Sequence, residues 1–128
     1  MAQDHRGVMD DPPLVEWFVS GTIDKNKLDS YLLSPHHPDG KHKARLWSSV
    51  LGFDQSDSEL LESAIRTQLN QAKPMEKPGG QVRRWQLVIP RFRGPNGNEG
   101  PVLTAWALEP GKDSPHLTTA YPIVGTKR

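Results

Sequence analysis

The sequence predicts an α+β domain in which N-terminal helices pack on one face of an antiparallel sheet. Three observations lead there. Apolar residues recur at helical spacing between Asp24 and Leu69, they alternate from Val82 onward, and clusters of Gly, Pro and Asn separate the alternating runs. At 128 residues the length fits one domain, expected over 14–128, behind a loose polar tail over 1–13 that ends in Asp10-Asp11-Pro12-Pro13.

The elements follow in order. Leu14 to Val19 (LVEWFV) is a short apolar run that suits a strand or a turn of helix equally. Asp24 can cap a helix through Leu33, with Leu28, Tyr31 and Leu32 as its apolar stripe; Ser34-Pro35 stops it. HHPDG is a turn. Lys41 to Leu51 then carries Ala44, Trp47, Val50 and Leu51 at helical spacing, and Gly52 suits the left-handed residue that ends a helix. Ser56-Asp57-Ser58-Glu59 reads as a capping box opening a helix with Leu61, Ile65 and Leu69 on its buried face, widened by Leu60 and Ala64. Pro74 ends that helix, and residues 73–80 read as a flexible connector. Val82–Ile89 and Pro101–Leu108 are strands joined by a turn-rich Arg-Gly-Pro-Asn-Gly-Asn-Glu-Gly, hence a hairpin. Leu117–Tyr121 is a further strand; strict alternation puts Leu117, Thr119 and Tyr121 on one face and Thr118 and Ala120 on the other.

Composition narrows the function. The absence of cysteine excludes disulfides, thiolate metal sites and a cysteine nucleophile. No apolar run is long enough to span a bilayer and the first residues lack a signal-peptide core, so the expectation is a soluble, cytoplasmic protein. The net charge of +1 conceals an asymmetry: residues 1–80 hold nine Lys/Arg against twelve Asp/Glu, and residues 81–128 hold seven against three. The C-terminal part, with Arg83, Arg84, Arg91 and Arg93, suits a polyanion or is simply a solvated basic strand pair.

Three segments could carry chemistry, the last of them GPNGNEGPVLTAW (94–106), which holds Trp106. PHHPDGKHKARL (35–46) sets His36, His37 and His42 among Lys41, Lys43 and Arg45. Metal-free RNA cleavage needs a base for the ribose 2′-OH, a cation for the phosphate and an acid for the leaving oxygen; histidine suits the first and last, lysine and arginine the second. On a helix Lys41 and Arg45 share a face from which Lys43 is rotated away, so only one of these sets faces a given phosphate. The same residues also fit a solvated turn, and the histidines lack a recognised zinc spacing. HLTTAYP (116–122) offers a hydroxyl, a phenol ring and a nearby histidine for a phosphate-binding, base-stacking groove; inward packing of Leu117 and Tyr121 is the plainer reading. Trp106 fits either the core or the border of that groove.

Taken in order, KLDSYLLSPHHPDGKHKARLWSSVLGF (27–53), GPNG with VLTAW, and PHLTTAYP (115–122) resemble a bacterial domain family. Its members share Tyr-Leu-Leu, a His-Pro before a glycine, Lys-Ala, Leu-Gly-Phe, a Gly-Pro-Asn-Gly hairpin and a terminal Leu-x-Thr-Ala-Tyr-Pro. That ending is similar to those of toxin ribonucleases of the barnase, colicin-nuclease and RelE-like group. The resemblance implies helices ahead of a roughly four-stranded antiparallel sheet, an active site on its open face, RNA cleavage without a metal or other cofactor, and a dedicated immunity or antitoxin partner. It assigns His37 as general base or acid, Lys43 to the phosphate and Thr119 as a donor to a phosphate oxygen. Trp106 and Tyr121 would border or stack the nucleotide. His36, His42 and Arg45 would contact substrate, and Arg91 and Arg93 would line its approach. Such a protein acts in the cytoplasm, of a target cell if it belongs to a larger toxin. The rival reading is a non-catalytic RNA-binding or immunity-type protein, with a metal-dependent DNA nuclease or deaminase-like toxin ranked last.

Overall fold

Alternation over the last third of the chain builds the sheet that everything else packs against. In the computed structural model, which describes residues 13–124, helices α1 (Val15–Val19), α2 (Lys25–Lys27), α3 (Lys41–Leu46) and α4 (Ser58–Gln68) precede strands β1 (Met75–Lys77), β2 (Arg83–Arg93), β3 (Glu99–Leu108) and β4 (His116–Pro122). The π-turns Leu28–Leu32 and Trp47–Leu51 continue α2 and α3, and a 3₁₀ turn, Leu69–Gln71, ends α4. Among the described residues the strands form one antiparallel sheet in the order β1-β2-β3-β4. The chain is thus α+β, with the helices contacting the sheet. The expected tail, Pro13 apart, lies outside the described residues. No helix among them is long and apolar enough to cross a membrane.

One sheet face is the core face. Trp85, Leu87, Ile89, Phe92, Val102, Trp106, Leu117 and Ala120 are buried there against Phe18, Leu28, Leu32, Trp47, Leu51, Phe53, Leu61 and Ile65. Edge-to-face contacts link Phe18 with Trp85 and Trp106, and Trp47 with Phe53 and Phe92. The LVEWFV run is helical, and Asp24 caps α2 by accepting from the Asn26 amide at 2.9 Å. Gly52, at φ 88°, ends the second helical run as expected.

Two expectations give way. The capping box at Ser56 does not form: Asp54 accepts both the Ser56 amide and hydroxyl, and Asp57 Oδ2 accepts the Asp54 amide, so the side chains close a turn ahead of α4. These bonds from Ser56 hold the Asp54 carboxyl below its ordinary range. Residues 73–80 are also more than a connector, because Met75–Lys77 pairs with Arg84–Gln86 as the edge strand β1. Glu76 accepts twice from Arg83 (2.9 and 2.7 Å), which lowers the carboxyl and raises the guanidinium from their usual values.

Beyond Gln86 the outer edge of β2 has no strand beside it, and two glutamines replace one. Gln71 exchanges a pair of hydrogen bonds with the Arg91 backbone, and Gln68 does the same with Arg93. Each primary amide mimics a backbone unit and blocks the edge against another chain. The β2–β3 turn is docked rather than free: Asn96 and Asn98 donate from Nδ2 to the Val50 carbonyl. A Cβ at Gly94 would overlap the Leu51 carbonyl. Gly94→Ala should therefore lower stability by more than about 2 kcal/mol, whereas Gly100→Ala, with open space around it, should stay within about 0.5 kcal/mol. Urea unfolding measures both; equal effects would show that the turn is not seated on α3.

Candidate functional site

The open face of the sheet is set by register. Cross-strand partners place Arg84, Ala107 and His116 in one row, Gln86, Ala105 and Thr119 in the next, and Val88, Leu103 and Tyr121 in a third. All alternate with core residues, so these rows form the face opposite the core. The middle strand thus forms a shallow trough of small side chains between longer ones, half-buried at Ala105 and buried at Ala107 (2% exposed).

Strict alternation in β4 is broken by a bulge. Ala105 pairs with Thr119 and Trp106 with Leu117, leaving Thr118 as the extra residue, its hydroxyl donating to the Ala105 carbonyl at 3.1 Å. Leu117 consequently turns inward with Ala120, at 1% and 0% exposure, while Thr119 and Tyr121 stay on the open face. The expected grouping of Leu117 with Thr119 and Tyr121 is corrected by that one residue.

Helix α3 brings its side chains to the same strand. The buried Trp47 indole donates to the Ala120 carbonyl at 3.1 Å on the outer edge of β4, and the HPDG turn locks the start of the helix. A Cβ at Gly40 would overlap the Tyr31 carbonyl, so the turn closes onto that residue only with glycine. Lys43 then lies between two phenol rings. Its ammonium donates to Tyr31 Oη at 3.1 Å and stands 5.3 Å from the Tyr31 centroid and 5.5 Å from that of Tyr121. Lys27 approaches the Tyr31 ring at 5.8 Å, and the His37 ring packs edge-on against it at 4.9 Å. Among the described residues no carboxylate pairs with Lys43. The cluster is therefore a half-buried, uncompensated cation framed by aromatic rings, a setting that favours an anion.

His37 has a defined tautomer. Its Nδ1 accepts from the Asp39 and Gly40 amides, both at 2.9 Å, which places the ring proton on Nε2. The ring thus offers an N–H donor to a ligand. While this turn holds, the Nδ1 lone pair is engaged, so the ring atom open to a ligand is Nε2.

Other expected residues fall elsewhere. Trp106 is 1% exposed and donates to Thr104 Oγ1 at 2.8 Å, so it belongs to the core and borders no groove. Thr119 is half-buried, with a hydroxyl that is enclosed and has no hydrogen-bond partner among the described residues. Arg91 and Arg93 converge on Glu99 at 3.4 and 3.6 Å. Glu99 lies four residues along β3 from Leu103, the partner of Tyr121. That is about 13 Å from the cluster, so the two arginines are not part of it. Arg83 is held by Glu76, leaving Arg84 and its β1 partner Lys77 as basic side chains of the open sheet face. Lys41 and Arg45 line a separate groove of about 480 Å³ with Leu33, Pro35, Ser48 and Asp54. The rotation that separates them from Lys43 was predicted from helical spacing. His36 and His42 are exposed on the turn and on α3. Sequence reasoning took Tyr31 for core; its position three residues from Leu28 hid its second role. Among the described residues no group of three or more His, Asp or Glu side chains is placed to hold a metal ion.

Because His37 receives two amides, His37→Ala should cost about 1–2 kcal/mol and His37→Asn, which restores an acceptor, less than half of that. Chemical denaturation compares them; equal losses would mean that the Nδ1 bonds do not hold the turn.

A family model described as a domain of unknown function (DUF6883) matches residues 16–124, so the chain belongs to that family. Comparison with curated proteins and with solved structures gives no match.

Proposed function

We propose that this DUF6883 member is a metal-independent endoribonuclease of bacterial toxin type, cutting RNA by attack of a 2′-OH on the adjacent phosphate. The observation that carries the reading is the Lys43 ammonium, without a carboxylate partner among the described residues, held between Tyr31 and Tyr121 where helix α3 meets β4. A phosphate there would meet that charge, the His37 Nε2–H and, after a χ1 change that brings out its enclosed hydroxyl, Thr119. The Tyr121 ring supplies a face for a base, and the alanine trough supplies room for the chain. The order of helices and strands agrees with what the resemblance to toxin ribonucleases implies, an analogy at the level of fold. On this reading the site of action is the cytoplasm, and an immunity or antitoxin protein would act by covering the Lys43 cluster.

A second reading, RNA binding without cleavage, is favoured by two observations: the engaged Nδ1 of His37 and the enclosed hydroxyl of Thr119. One experiment separates them. Purified protein is incubated with total RNA in EDTA. Cleavage is expected, and Lys43→Ala should slow it by about 10²- to 10³-fold with the fold intact by circular dichroism. Intact RNA with salt-dependent retention supports the binding reading, and intact RNA without retention overturns both.

A further inference from the structure

The turn at His37 engages that ring's Nδ1, and the open face carries another imidazole. His116 begins β4 and is half-buried. Its Nε2 stands 3.0 Å from Glu109 Oε2, across the turn that joins β3 to β4. A carboxylate at that distance keeps the neutral ring's proton on Nε2 and leaves the Nδ1 lone pair free. Nδ1 has no partner among the described residues and is not enclosed. This is the reverse of His37, whose Nδ1 is filled and whose Nε2 carries the free N–H.

The bulge at Thr118 makes the placement work. Without it, His116 would share a face with Ala120 and point to the core. With it, His116 pairs with Ala107 and lies on the same face as Thr119, which pairs with Ala105. Their backbones are then two pleat steps apart, about 7 Å, and Tyr121 is the same distance further on. One side of the alanine trough thus presents, in order, an imidazole with a free lone pair, a threonine, and the Tyr121–Lys43 pair. Arg84 stands opposite His116 across Ala107, with no carboxylate partner among the described residues. Arg84 thus supplies a cation for the 3′-phosphate of a ribose whose 2′-OH meets the His116 imidazole, while the Tyr121–Lys43 pair, about 14 Å along the strand, would hold a neighbouring nucleotide.

We infer that His116 is the catalytic base of this site and Glu109 its positioning residue; the inference rests on the endoribonuclease reading. The ribose 2′-oxygen bonds to phosphorus while its proton passes to Nδ1 of His116. The P–O5′ bond breaks and the leaving oxygen takes a proton from water. The products are a 2′,3′-cyclic phosphate and a 5′-hydroxyl. Glu109 accepts from Nε2–H and stabilises the imidazolium, which then returns its proton to solvent.

The test uses the full chain, single-turnover cleavage of a defined RNA in EDTA, and filter retention of the same RNA with 2′-deoxy substitution. His116→Ala should slow cleavage by about 10²- to 10⁴-fold while retention stays within about twofold. Glu109→Gln should slow it by about tenfold, again with retention unchanged, a split between rate and binding that a merely structural loss would not give. Should His116→Ala fail to fold, as judged by circular dichroism, His116→Gln is read in its place. A folded His116 variant cleaving at the wild-type rate overturns this assignment and leaves the nuclease reading standing. Wild-type protein that retains RNA but leaves it whole overturns both.

Discussion

One buried hydrogen bond sets the geometry of the candidate site: the Trp47 indole donates to the Ala120 carbonyl at 3.1 Å. An edge strand presents unpaired backbone groups, and a buried one must find partners. Thr22 supplies them near the start of β4, where it donates to the Pro115 carbonyl and accepts the Leu117 amide. Trp47 supplies the next. Because Trp47 lies one turn beyond Lys43, fixing its ring against the strand also fixes where the lysine ammonium can reach. The helix is held at its other end by the β2–β3 turn, whose asparagines take the Val50 carbonyl. Position and orientation of α3 are therefore determined by the sheet at two points.

The motifs that carry the resemblance divide along this line. Leu-Gly-Phe and Gly-Pro-Asn-Gly are structural: Leu51 and Phe53 are core, Gly52 takes the left-handed conformation, and the turn seats on the carbonyls that end the helix. His-Pro-Asp-Gly is a closure device whose histidine also offers an N–H. Lys43, Tyr121 and the tyrosine of Tyr-Leu-Leu face one another at the mouth of the open face. Thr-Ala-Tyr-Pro does both, since Ala120 faces the core and gives its carbonyl to Trp47, while the residues on either side of it face the trough.

The fold class, the three long helical segments and the three long strands were legible because burial imposes a period on the sequence. β1 was not legible: its three residues are all exposed, so no apolar pattern marks it, and only pairing with β2 makes it a strand. The bulge was hidden for a related reason. Alternation assumes a constant step, and a single extra residue in Leu-Thr-Thr-Ala changes every assignment on one side of it. Trp106 illustrates the limit of residue type, because an indole suits a core and a base-stacking surface equally; the nearby Thr104 hydroxyl, which satisfies its N–H, decides for the core. The clustering of Lys43 with Tyr121 rests on a packing arrangement between segments far apart in the chain, and the resemblance pointed to it where spacing could not.

On the proposed function, helix α3 and β4 form one RNA-binding surface centred on Lys43. A crystal structure with a short 2′-O-methyl RNA, which cannot be cut, locates the bound strand. A phosphate is expected within hydrogen-bonding reach of Lys43 Nζ and His37 Nε2, with the strand running over Ala105 and Ala107. RNA lying in the Lys41–Arg45 groove or along Arg91 and Arg93, with the trough empty, would contradict it.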